Sequence, residues 1–229
     1  DGDSVTFHPN GQFEHLAAGE SVVDTIYYGV QDPKFGQNQP TTFIERNGLI
    51  IGEATDYSGS SASAAGNPWA ERGNTSGVNP NSLTGSRTGD FMQVPEGGGI
   101  SGTPPNVIPY VDYRIHITSA GIYDLHLRAT GFDGGSDSIY ASILELQDGT
   151  GGVNADWYGI GVPGTSAFTW VKGGDVENAL PSNSGNASFT LAAGTYTLRI
   201  MPREDGVALD AFALIRQGSG ITPPTGTIA

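Results

Sequence analysis

"REDGVALDAFALI", residues 203–215, decides the fold of this chain. It opens with three charged residues, turns at Asp205-Gly206 and then alternates as a β-strand does. Two-residue periodicity places Val207, Leu209, Ala211, Ala213 and Ile215 on one face and Asp210, Phe212 and Leu214 on the other. Both faces are apolar enough to be at least half buried. Asp210 stands out, because a carboxylate beside large apolar side chains is costly unless something compensates it.

Two earlier segments share one pattern. "SAGIYDLHLRA", residues 119–129, and "AAGTYTLRIM", residues 192–201, each launch a strand from a Gly turn, with Tyr and Leu on one face. Each runs into an acidic loop, "TGFDGGSD" or "PREDG", and then into another apolar strand. The pairing predicts equivalent positions in a sandwich, with both acidic loops at the same end. "PYVDYRIHIT", residues 109–118, alternates Val111, Tyr113, Ile115 and Ile117 against Asp112, Arg114 and His116. Regular helix signals are missing, and 35 Gly and 14 Pro punctuate many short apolar runs. The fold class that follows is all-β, an antiparallel β-sandwich of jelly-roll type with a short additional β segment at the N-terminus.

The 229 residues, 37% of them hydrophobic, suffice for one large β domain or two modest ones. Ten Lys and Arg against 24 Asp and Glu give a net charge of −14, which makes nucleic acid and anionic membranes poor partners and cations good ones. With no cysteine there is neither a disulfide framework nor a thiolate metal site. No apolar stretch approaches the roughly 18–20 residues that span a bilayer. The four histidines lack metal spacing, and no nucleophile elbow or Ser/His pairing offers a catalytic centre. The reading is therefore of a non-enzyme.

Residues 1–32 read as strand, Asn-Gly turn, short polar segment and strand. "HPNG", the run Phe13, Leu16, Gly19 and Glu20, and the set Tyr28, Val30 and Asp32 resemble the closing part of the cadherin-like repeats of bacterial adhesins. Residues 33–42, "PKFGQNQPTT", read as a linker, 43–217 as the main body and 218–229 as a linker-like tail.

The body opens with "FIERNGLIIGEATDYSG", residues 43–59, where Glu53 falls in line with an apolar face. Glu53 on an early strand and Asp210 on the last could meet. Two carboxylates in one apolar site cannot both stay ionised without a cation, and among hard ions a loop-rich oxygen site favours Ca²⁺ over Mg²⁺; the alternative is that the two acids are edge-exposed or paired to arginines. The opening run resembles "F-x-E-x-x-G-x-x-x-x-E-A-E-x-Y-S", the start of calcium-containing carbohydrate-binding modules of the family 6 and family 35 type. It is most similar to the module at the C-terminus of family 115 glycoside hydrolases. The likeness continues in order through "TGDFMQVPEGGG", "VDYRIHITSAGIYDLHLR", "GGSDSIYASI", "FTWV" and "MPREDGVALDAFALI". It implies a structural Ca²⁺ held by Glu53 and Asp210, with Thr55 standing where the family has its second Glu.

The resemblance also implies a sugar site in the loops at one end of the sandwich. Rings stack beneath a pyranose there, and polar groups take its hydroxyls. Candidate rings are Trp157, Tyr158 and Trp69, with Trp170 continuing the alternation of Phe168. The candidate polar rim is Asp137, Ser138, Arg203, Glu204 and Asp205, with Asp133 beside it. The expected partner is a polysaccharide or glycan, met by a monomeric module of a large secreted or cell-surface bacterial protein. The alternatives are a sandwich that spaces or adheres without binding sugar, and, further off, a glycan-active enzyme.

Overall fold

The chain divides into two compact units, Asp1–Gln37 and Asn38–Ala229. The computed structural model describes residues 42–61, 69–73, 83, 85–97, 99–100, 109–147, 157–165, 167–172 and 187–224, all of the second unit. The cadherin-like segment and all of the expected linker but Thr42 lie outside the described residues.

The first strands are β1 (Thr42–Ile44) and β2 (Leu49–Glu53). Between them Asn47 and Gly48 both take positive φ, 54° and 91°, the left-handed pair that a two-residue reversal demands. Arg46 and Leu49 close this turn with reciprocal backbone hydrogen bonds of 2.9 and 3.0 Å. The next strands are β3 (Gly59–Ser61), β4 (Ala70–Gly73), β5 (Asp90–Gln93), β6 (Tyr110–Ile117), β7 (Gly121–Thr130) and β8 (Ser138–Ile143). After a short 3₁₀ turn at Leu144–Leu146 come β9 (Tyr158–Gly161), β10 (Thr169–Lys172), β11 (Ser188–Leu191), β12 (Gly194–Pro202) and β13 (Ala208–Arg216).

These strands form two sheets. The six-stranded sheet runs β1-β6-β12-β8-β9, with β3 also on β6; the seven-stranded sheet runs β10-β7-β13-β5-β4, with β11 on β7 and β2 on β13. The Asn-Gly turn thus carries the chain from one sheet to the other. One consequence departs from a purely antiparallel sandwich: β1 pairs with β6 in parallel, Phe43 opposite Ile115. The two "AG-x-Y-x-L" segments become β7 and β12, one in each sheet.

The core lies between the sheets. Val111, Tyr113, Ile115 and Ile117 of β6 face Tyr123, Leu125, Leu127 and Ala129 of β7, all fully buried. Side chains of this kind each stabilise the fold by roughly 1.5–3 kcal/mol. The rings of Tyr113 and Phe212 lie 4.6 Å apart, and Phe43 meets Phe212 edge-on at 5.2 Å. Gly52 makes room for that cluster, since a Cβ there would sit 2.4 Å from the Phe212 ring.

In β13 the strict alternation fails. Leu209 pairs with Ala129 but Ala211 already pairs with Arg128, leaving Asp210 as the extra residue of a β-bulge. Leu209, Phe212 and Leu214 therefore all belong to the central core, while Ala208 joins Leu83, Phe91 and Phe168 in a smaller cluster on the outer face. The bulge turns Asp210 away from the face that simple periodicity assigns it.

Candidate functional site

The loops after β7 and β12 meet at one end of the sandwich, as the paired motifs predict. The turn at Gly206, with φ at 78°, packs so tightly that a Cβ would fall 2.6 Å from Ser136 Oγ and 2.1 Å from Glu96 Oε2. Gly206 N–H donates to Val94 O at 3.0 Å and Arg203 N–H to Ser138 O at 3.1 Å, which joins three loops.

The side chains of the expected rim come together here. Ser138 Oγ donates to Glu204 Oε2 at 2.8 Å and accepts from Arg203 Nη1 at 3.1 Å. Arg203 Nε pairs with Glu204 Oε1 at 3.0 Å. Asp137 Oδ1 lies 3.3 Å from Ser138 Oγ, and Ser136 Oγ reaches Glu96 Oε2 at 3.1 Å. Gly99 N–H donates to Asp205 Oδ2, and Gly135 N–H to Asp133 Oδ1. Burial pushes the Glu204 carboxyl upward, against the pull of Ser138 and Arg203. The result is an acceptor-rich loop end in which Arg203, Glu204, Ser138 and Asp137 are linked directly, while Glu96 and Asp133 meet at Ser136 and Asp205 is turned to Gly99.

The expected rings do not join this rim as open platforms. Trp157 is 4% exposed and Trp69 5%, and both belong to the central core. At this burial neither indole offers a ring face to a sugar. Tyr158 is half-buried, donates its hydroxyl to Ser188 O at 3.0 Å and packs edge-on to Phe189. Trp170 is half-buried on β10, with Nε1 donating to Pro224 O at 2.9 Å.

A second polar feature escaped the sequence reading. On the outer face of the six-stranded sheet, an open groove of about 400 Å³ is lined by Ser58, Gly59, Asp112, Arg114, Glu145, Thr195 and Thr197. Arg199 grips Asp112 through two bonds of 2.7 and 2.8 Å and stacks 3.5 Å from the Tyr110 ring centre. Glu145 accepts from Thr197 N–H and hydroxyl at 2.8 and 2.9 Å. Its signal was present as the polar halves of the alternating runs 112–116 and 195–199.

The acids expected to hold calcium are indeed neighbours, for Glu53 pairs with Ala211 in the β2–β13 ladder. Their oxygens, however, are already engaged. Arg87 donates its backbone N–H to Asp210 Oδ1 at 3.0 Å and its Nε to Glu53 Oε1 at 3.0 Å. Arg128 Nη1 meets Asp210 Oδ2 at 2.5 Å. Of these four oxygens, Glu53 Oε2 is buried without a donor among the described residues, and Thr55 is half-buried in the following turn. Among the described residues no three His, Asp or Glu side chains gather as a metal site. Calcium takes six to eight oxygens, and this donor set does not fit it.

No family model and no curated protein matches the chain. Solved structures similar to it include carbohydrate-binding modules. The GH26-CBM35 beta-(1,4)-mannanase of Podospora anserina aligns at 17% identity and a TM-score of 0.47, over 78% of this chain and 29% of its own. The C-terminal CBM6 of LamC from Zobellia galactanivorans aligns at 14% identity and 0.44, over 73% of this chain and 99% of its own. A family 35 module from Clostridium thermocellum gives 12% and 0.42, over 72% and 96%. What defines the class here is the chain's own architecture: a two-sheet β-sandwich with a polar loop end.

Proposed function

We propose that residues 43–217 form a non-catalytic carbohydrate-binding module that takes glycan at the loop end of the sandwich. The observation that carries this reading is the convergence of Asp137 and Ser138, where the chain enters β8, with Arg203 and Glu204, where it leaves the neighbouring β12. The ordered motifs from Phe43 to Ile215 support it. The rim is rich in acceptors for sugar hydroxyls, and its carboxylates repel a uronic acid, so the ligand is a neutral glycan. With Trp69 and Trp157 buried, recognition rests on polar contacts. The module acts within a larger secreted or cell-surface protein, as a monomer.

The groove around Arg114 is the second place a glycan could lie. Its carboxylates, Asp112 and Glu145, are held by Arg199 and Thr197, which suits binding better than acid–base chemistry. A different reading, a sandwich that spaces or adheres without binding sugar, is favoured by the burial of both indoles. A polysaccharide-binding screen of the full chain, repeated with Arg203→Ala/Glu204→Gln and with Arg114→Ala, separates these outcomes. Loss in the first variant places binding at the loop end; loss in the second places it in the groove. No binding by the native chain supports the spacer.

A further inference from the structure

We propose that Arg87 and Arg128 take the place of a bound cation at Glu53 and Asp210, so that the sandwich is neutralised by its own side chains and needs no calcium. Arg87 is 4% exposed and spans the pair, one hydrogen bond to each carboxylate. Arg128, from β7, holds the other oxygen of Asp210 and donates Nη2 to Gly85 O at 2.9 Å, tying down the loop that delivers Arg87. Two guanidinium groups each hold one carboxylate, Arg87 on Glu53 and Arg128 on Asp210, with the charge of Asp56 acting on Glu53 from the following turn. A divalent ion would add two positive charges beside two arginines in a poorly solvated site.

Three features of the sequence converge on this arrangement. The bulge at Asp210 aims its carboxylate at Arg128, which lies outside the central core. Thr55 occupies the position at which the resembling motif carries a second Glu, so that position supplies no carboxylate for an ion. The exterior is then closed by apolar and aromatic groups. Phe168 lies 5.8 Å from the Arg128 guanidinium and Trp170 lies 6.0 Å from that of Arg87. Pro224 O accepts from both Trp170 Nε1 and Arg87 Nη1, at 2.9 and 3.5 Å, drawing the tail across the cluster. Burial pushes both carboxyls up, and the arginines oppose it.

The test uses the full chain, with metal content measured by mass spectrometry and melting followed in EDTA and in excess calcium. The expected result is no stoichiometric calcium and the same melting temperature in both. Arg87→Met should lower that temperature by on the order of 10 °C, because it strands buried carboxylate charge. Glu53→Gln/Arg87→Met should recover a substantial part of the loss. Bound calcium, or melting that falls on chelation, would overturn the proposal even if Arg87→Met fails to fold. A double variant no more stable than Arg87→Met would also contradict it.

Discussion

Glu45 gathers four hydrogen bonds on one buried carboxylate, from the N–H groups of Gly48, Thr118 and Ser119 and the Thr118 hydroxyl. It pins the Asn-Gly turn to the β6–β7 turn, which gives the Glu of the "F-x-E-x-x-G" run a structural role. Burial pushes its carboxyl up, but these donors together outweigh that and hold it below its ordinary 4.5. Asp124 is likewise held low: Ser188, Gln217 and Lys172 overcome its burial. A depressed carboxyl contributes stability that is present above its unfolded pKa and lost as pH falls through the folded one. Acid unfolding followed below about pH 4.5 should therefore be shallower for Glu45→Gln. At neutral pH that variant should be about 2 kcal/mol less stable, as measured by urea titration. Trp157 belongs to the central core. Trp157→Ala should lose roughly 3–5 kcal/mol of stability, against the negligible cost expected of an open platform.

At the scale of elements, alternation made β6, β7 and β12 legible, because each sets a buried apolar face against a largely polar one. The β13 run misled in one respect: its faces are both buried, so period two had no wet side against which a bulge would show. The pairing of two acidic loops was readable from the repeated Gly-Tyr-Leu strands, and Arg203, Glu204 and Ser138 do meet. The fate of the indoles was not readable, since a Trp beside Gly-rich sequence looks the same whether it lies on or under a loop. Nor could spacing show that Arg87 reaches Glu53, 34 residues away in sequence. Gly52 is the element-scale test of the core: Gly52→Ala should crowd Phe212 and Phe43 and cost about 1–3 kcal/mol, read as a lower melting temperature.

For the whole molecule, the account joins a net charge of −14 to an acceptor-rich loop end and an internally neutralised carboxylate pair. Among the described residues no helix is long and apolar enough to cross a membrane. Charge of this sign disfavours polyuronic acids, so neutral polysaccharides should be retained more strongly at low salt, and added salt should narrow the difference. The most direct measurement is isothermal titration of the full chain with the best oligosaccharide from the polysaccharide screen, in EDTA, for the native chain and Arg203→Ala/Glu204→Gln. The account predicts saturable binding by the native chain without calcium and at least about a tenfold loss in the variant, a change of roughly 1.4 kcal/mol. Unaltered binding by a folded variant, or no binding by the native chain to any glycan, would contradict it.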